Sequence, residues 1–429
     1  MDETCGQHGK EYRMELKDSC SNDRIRAVVD RNAIRHNYKV IRELFPRQKI
    51  MSVLKADAYG HGITGIAAVC EEYTDQFAVA TVEEGRRLRE AGAKKPVLLL
   101  GPVPEGRIAE AAELGLTFSV GSLAYAMKIR SVLAAAGKSA ACQLKVDTGF
   151  NRTGFRYRDP GKSLPGNNGG SCRSGVCTAP FSPSESEMAF QQMQMVFRFR
   201  ELQVTGIYTH LPVPESDFPD DAEFTEFQLA CFREAVRRLR LVGCEPGLVH
   251  AFSTGGAMTA RSRGSEELFD MIRVGMMIYG QMDASTPGGD IGLIPALKWS
   301  ANLISTEEIA EGETVGYGRM FTAEKPVLLG VVSAGYADGY RRNYQGLHVL
   351  CAGHRVPVIG RVCMDFLMID LTDVPEAEPG MEVVLLGSQE DENGTVSEIS
   401  ASRVAAKTDS TCGEVTAAIS GRVPRYYVN

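Results

Sequence analysis

No apolar run in this 429-residue chain approaches the ~20 residues that a membrane-crossing helix needs. The opening stretch, MDETCGQHGKEYRMELKDSC, is charged and lacks an apolar h-region, so no signal peptide is expected. An excess of positive charge is missing too. Lys and Arg number 47 against 54 Asp and Glu, a net charge of −7 with both signs spread along the chain. That balance argues against a general nucleic-acid or membrane-surface binder and leaves the cytoplasm as the expected location. The 11 Cys are odd in number and scattered, which suits free thiols in a reducing compartment rather than a disulfide framework. Cys172 and Cys177 form a C-x4-C pair with no Cys/His partner pair nearby, a poor zinc signature, so no metal is expected.

What the chain does contain is a repeating rhythm. Residues 1–23 read as a polar tail. From there KIMSVLK, QFAVAT, PVLLLG, LTFSVG, CQLKVD, VTGIYTH, GLVHAFS and FDMIRVG are short apolar runs, most of them separated by helical patterns such as VEEGRRLREAG. Strands alternating with helices predict βαβ units and a parallel sheet. Eight such strands are the number that closes a TIM-type (β/α)8 barrel, placed over residues 24–288. The interval 157–186 is too long for the rhythm and rich in Gly, Pro and Ser, and it is expected to be an inserted mobile surface loop. Residues 289–429 change style, with strands, tight turns and little helix, and predict a mostly β second domain.

In a closed parallel barrel, reactive groups collect where strands end and βα loops begin. Lys55, Lys145 with Asp147 and Arg152, His210, Ser253 with Thr254, and Arg273 all fall at such ends. A lysine at the inner end of a barrel strand is costly if charged and unpaired. By itself Lys55 fits two readings: an ion pair with a carboxylate, or an amine nucleophile toward a carbonyl.

The surrounding residues point further. VLKADAYGHG resembles the pyridoxal-phosphate (PLP) attachment signature of bacterial alanine racemases. LKVDTGFNRTGF, GIYTHL, VHAFSTGGAM, IRVGMMIYG, GYADGYRR, GRVCMDFLMIDLT and GRVPRYY follow in the same order. The resemblance runs from about residue 24 to the C-terminus, apart from the insertion. It implies a PLP barrel followed by a β domain, a homodimer with sites completed across the interface, and interconversion of L- and D-alanine for cell-wall peptidoglycan synthesis. It further implies that Lys55 carries PLP and acts on one face of the substrate Cα. Tyr336, from the opposite subunit, would act on the other and would pair with His210, itself tied to Arg273.

By the same resemblance Tyr59, Ser253, Thr254 and the amides of Gly275 and Met276 hold the PLP phosphate, and Arg273 faces the ring nitrogen. Arg152 contacts the cofactor and the substrate carboxylate, and Met364 and Asp365 line the carboxylate pocket. Lys145 matches a lysine that is carbamylated in many members and buttresses that arginine. Small residues at Ala56, Ala58 and Gly60 let the backbone pass close to the cofactor, and His61 is expected to pack the turn.

Two departures stand out. The family usually has Asn-Ser where this chain has Ser253-Thr254. Gly413 stands where the family often has a tyrosine that walls the substrate side chain, which raises a broader, serine-accepting racemase as an alternative. A non-catalytic PLP-binding barrel would lack the β domain, a related decarboxylase would usually place a carboxylate where Arg273 stands, and a TIM-barrel hydrolase would leave the Lys55 motif unexplained.

Overall fold

The computed structural model describes residues 23–159, 183–264, 268–283, 286 and 291–429. The chain begins with β1 (Ile25–Asp30), whose last residue caps the helix Arg31–Leu44 by accepting the amides of Asn32 and Ala33. Then come β2 (Lys49–Val53), β3 (Gln76–Val79), β4 (Val97–Leu99), β5 (Leu116–Val120), β6 (Ala140–Asp147) and the two-residue β7 (Phe155–Arg156). Strands β8 (Leu202–Tyr208), β9 (Leu248–His250) and β10 (Met271–Val274) complete the first half.

Eight of these pair in parallel in the order β10-β2-β3-β4-β5-β6-β8-β9. The ring is nearly closed by amide bonds from Asp270 to Val249 O (3.0 Å) and from Arg273 to Phe252 O (3.1 Å), and by a bridge between Ser253 and Arg273. The eight strands expected from the apolar runs are the eight that form it. Alternation along each strand sorts the residues. Ile50 and Leu54 join the core under the helices, while Met51 and Val53 pack with Ala78, Leu98, Tyr208 and Met271 in a separate inner cluster.

The second half holds β11 (Leu297–Ile309), β12 (Thr314–Val315), β13 (Phe321–Thr322), β14 (Val327–Val332), β15 (His348–Cys351) and β16 (His354–Ile359). It ends with β17 (Leu367–Asp370), β18 (Glu382–Glu390), β19 (Val396–Ile399) and β20 (Arg425–Val428). The order β18-β15-β16-β17-β14-β11 returns to β18 through a further β11–β18 pairing, so these strands form a ring of their own. This is the mostly β domain expected from the turn-rich sequence.

One boundary differs from the sequence reading, which began the barrel at residue 24. Strand β1 pairs with β11 and β20 in the second sheet. Its burial alternates, as in a sheet with one face on the core and the other half-open, whereas barrel strands β2 to β5 are buried almost throughout. The expected 157–186 insertion and 1–23 tail fall mostly outside the described residues, as do Cys172 and Cys177. The edges of the insertion are ordered: Tyr157 is fully buried, the Arg158 amide donates to Ser186 Oγ at 2.9 Å, and a helix starts at Pro183.

Candidate active site

Lys55 follows β2 after the single residue Leu54 and opens a turn of unusual hand. Ala56, Asp57, Ala58 and Tyr59 have φ of 53°, 53°, 57° and 52°, a left-handed turn built from non-glycine residues. Each such residue costs roughly 1–2 kcal/mol in local sterics, so tertiary contacts must hold the turn. Glu84 accepts the Ala56 amide at 2.7 Å, and Arg87 pairs with Asp57 at 2.8 Å. Asp57 also accepts the Ile63 amide at 2.9 Å. Arg425 Nε donates to Gly60 O (3.2 Å) and Tyr427 Oη to His61 O (3.2 Å), both from β20. His61 is fully buried, stacks on Tyr279 at 4.2 Å, and bonds through Nδ1 to Ala58 O and Tyr59 O at 3.1 Å each. It packs the turn, as its sequence context suggested, and burial pushes its pKa down to about 4.

The turn and the barrel mouth converge on a cationic pocket. Burial, and then the neighbouring Arg152, pull the Lys55 amine below its ordinary pKa. Lys145, on the buried end of β6, donates to Thr153 Oγ1 at 2.7 Å. Its pKa is lowered to about 8, by burial first and then by Arg152 and Arg273. Asp147 accepts the amides of Gly149 (2.9 Å) and Asn151 (3.1 Å), shaping the loop that presents Arg152 over the Phe150 ring at 4.2 Å. Arg273 is buried and donates to Thr209 O (3.0 Å), Ala251 O (2.6 Å), His210 Nδ1 (3.2 Å) and His250 Nδ1 (2.9 Å). His210 has its pKa lowered to about 2 by burial and then by Arg273, Arg152, Lys145 and Lys55, so it is neutral at any ordinary pH.

An anion cradle lies beside these cations. Ser253 caps the helix Thr254–Ser262 without a side-chain cap bond, and Thr254 Oγ1 accepts the Gly275 amide at 3.3 Å. A Cβ on Gly275 would lie 2.8 Å from Tyr59 Oη, so glycine is what lets this backbone approach the phenol. Burial raises the Tyr59 pKa to about 12 and keeps it a hydrogen-bond donor. Gly413, the second residue of the helix Cys412–Ala417, faces the same group: a Cβ there would lie 3.1 Å from the Tyr59 ring and 3.6 Å from Met276 Sδ. A helix start, a phenol and four cations suit a phosphate monoester and a carboxylate, which is the donor set that PLP and an amino acid require.

Two family profiles match the chain: "Alanine racemase, N-terminal domain" over residues 29–164 and 167–283, and "Alanine racemase, C-terminal domain" over residues 296–427. The chain belongs to the alanine racemase family. Curated family members include alanine racemase 2 of Caldanaerobacter subterraneus subsp. tengcongensis, 32% identical over 406 residues that cover 94% of each chain. Alanine racemase of Cutibacterium acnes is 32% identical over 405 residues, covering 94% of this chain and 97% of its own. Among solved structures, alanine racemase of Clostridium difficile 630 superposes with a TM-score of 0.81 at 26% identity, over 95% of this chain and 96% of that one. The enzyme of Streptomyces lavendulae does so with a TM-score of 0.78 at 30% identity, over 95% and 97%.

The site residues expected from the sequence fall into two groups. Lys55, Tyr59, Lys145, Arg152, His210, Ser253, Thr254, Arg273, Gly275 and Met276 gather at the barrel mouth. Tyr336, Met364 and Asp365 form a second cluster on the β domain, where the amides of Tyr336 and Ala337 donate to Cys363 O and Met364 O at 3.0 Å. There the Asp365 carboxylate is engaged by Arg422 at 2.5 Å, and Arg422 also binds the buried Asp338 at 2.7 Å. Asp338 in turn holds Arg24 and the Gly335 amide (2.9 Å), which fixes the loop carrying Tyr336. Tyr336 is 41% exposed and Met364 is exposed beside it.

The sequence reading passed over Tyr317. It is 69% exposed, on a turn between Gly316 (φ 69°) and Gly318 (φ 74°), and both glycines lie against Arg361, from the loop that carries Met364 and Asp365. The signal was the Gly-Tyr-Gly tripeptide, which marks an aromatic displayed on a tight turn. His250, which meets Arg273, and Gln143, whose Oε1 lies 2.9 Å from His250 Nε2, drew no sequence reading either, though Gln143 lies two residues before Lys145 and so shares its inward face.

Proposed function

We propose that this chain is a PLP-dependent racemase that interconverts L- and D-alanine as a homodimer and supplies D-alanine for peptidoglycan. The observation that carries the reading is the convergence of Lys55, Arg152, His210, Arg273 and the Tyr59–Gly275 cradle at one barrel mouth. Lys55 would hold the cofactor, with its phosphate against Tyr59, Ser253, Thr254 and the amides of Gly275 and Met276. PLP, when bound, acidifies the substrate Cα–H by delocalising the electron pair left behind.

The chain's own residues supply the rest. Lys55, its amine pKa lowered, takes or returns a proton on one face. Arg273 can only donate a hydrogen bond, so it leaves the ring nitrogen unprotonated and limits side reactions. Arg152 orients the carboxylate and lies beside Lys145, whose depressed pKa favours the free amine that a carbamate requires. Met364 and Asp365 would line the carboxylate side of the completed site. His210, its Nδ1 accepting from Arg273, carries its proton on Nε2 and can donate it to a phenol oxygen.

The opposite face calls for a tyrosine displayed by the β domain of a second copy. Tyr336 is the assignment by motif, and Tyr317 is the more exposed alternative on the same surface. Replacing each by Phe separates them. The true base loses racemisation of both enantiomers by about 10²-fold or more, while Lys55-dependent colour is kept. A band near ~420 nm that disappears in Lys55→Ala, with deuterium uptake at Cα of alanine in D2O, tests the whole reading. A colourless protein after PLP addition overturns it.

Gly413 favours a second reading, a racemase that also accepts serine, because no side chain there walls the substrate. A serine kcat/KM below about a thousandth of the alanine value, ~4 kcal/mol of discrimination, removes it.

A further inference from the structure

Below the mouth, the barrel lumen carries buried polar side chains that no step above uses. His250 and Gln143 are fully buried, and Gln76 nearly so. His250 Nε2 lies 2.9 Å from Gln143 Oε1, and Gln143 Nε2 donates to Gln76 Oε1 at 3.3 Å. With the 2.9 Å contact from Arg273 Nη1 to His250 Nδ1, these form one chain across β10, β9, β6 and β3.

Its polarity has a single solution. A guanidinium only donates, so His250 Nδ1 must accept. The proton then sits on Nε2, which must meet an acceptor, and this turns the oxygen of Gln143 toward it. The ring is clamped as well as bonded: Tyr208 stacks on it at 5.0 Å and 5°, and Tyr208 Oη lies 2.5 Å from Ser119 Oγ. Room for the Gln143 amide comes from Gly206 in the middle of β8, where a Cβ would lie 2.8 Å from Gln143 Cδ. A glycine inside a strand weakens it, and here the missing methyl is the space the amide occupies.

We propose that Gln143 and His250 are positioning residues that aim the Arg273 guanidinium by holding His250 as the neutral Nε2–H tautomer. This rests on the reading of Arg273 as the partner of the cofactor ring nitrogen. Gln143 anchors the ring, His250 offers one fixed acceptor, and Arg273 is left with a single orientation toward its ligand.

Gln143→Glu tests this, because a carboxylate facing Nε2–H favours the imidazolium, whose Nδ1–H cannot accept from Arg273. In 15N-histidine-labelled holoenzyme loaded with 15N-labelled PLP, the wild type should show His250 as a neutral Nε2–H ring between about pH 5.5 and 8.5. In the variant, the His250 resonances should move to imidazolium values and the cofactor ring nitrogen should shift. kcat should fall about tenfold or more with the alanine KM within about threefold, as for a misaimed group rather than a lost binding contact. Gln143→Met, which removes the acceptor without adding charge, should move the same resonances less and lower kcat about threefold. Unchanged His250 and ring-nitrogen resonances in whichever variant folds overturn the proposal. If the wild type does not racemise alanine yet the Glu variant still charges His250 and displaces the Arg273 side-chain resonances, the relay stands and the reading of function fails.

Discussion

The left-handed turn after Lys55 makes the same substitution change sign between two places in one chain. In Ala56→Gly, a residue at φ 53° loses the Cβ that makes this region costly, a gain of about 1–2 kcal/mol. The glycine adds freedom to the unfolded chain, a loss of about 0.5–1 kcal/mol. Ala56 is exposed, so little packing is lost, and the net is a stabilisation of about 0–1.5 kcal/mol. Ala230 lies inside the right-handed helix Pro219–Leu241, where Gly in place of Ala costs about 1 kcal/mol. The two variants should therefore differ by about 1–2.5 kcal/mol. Urea unfolding with saturating PLP measures this directly, and the thermal midpoint should separate by several degrees, at about 2–4 °C per kcal/mol for a domain of the barrel's size. If Ala56→Gly destabilises as much as Ala230→Gly, the turn is not left-handed in solution and the strain argument fails.

Three other outcomes follow from named contacts. Gly275→Ala puts a methyl 2.8 Å from Tyr59 Oη, and should weaken PLP binding about tenfold, ~1.4 kcal/mol, in a titration of the cofactor-free enzyme; an unchanged Kd would mean that the phenol is not part of the cradle. Asp338→Asn leaves Arg24 and Arg422 facing a buried neutral amide. It should cost about 3 kcal/mol in denaturant stability, the low end for a broken buried pair because both guanidiniums are about two-fifths exposed; a loss below about 1 kcal/mol refutes the anchoring role. Lys145, with its pKa lowered to about 8, is a free amine for about 1% of molecules at pH 6 and about half at pH 8. At fixed CO2, incorporation from 13C-bicarbonate should rise with pH in the wild type and be absent in Lys145→Ala, and a pH-independent signal argues against that residue.

The local sequence determined which segments are strands and which residues end them. Alternation and short apolar runs fix which face of a segment is buried, and Lys55, Lys145, His210 and Arg273 were legible because each interrupts or follows such a run near its C-terminal end. The same periodicity does not say which strand lies next to which. Only the tertiary structure moved β1 into the second sheet, because β11 and β20 offered it partners hundreds of residues away. Nor does local propensity predict four consecutive left-handed residues at Ala56 to Tyr59, a conformation held by Glu84, Arg87, Arg425 and Tyr427 from other elements. The tautomer of His250, the aim of Arg273 and the capture of Asp365 by Arg422 are likewise set by partners distant in sequence. Donor and acceptor roles are fixed only when both atoms are in place, and placing them was the work of the fold.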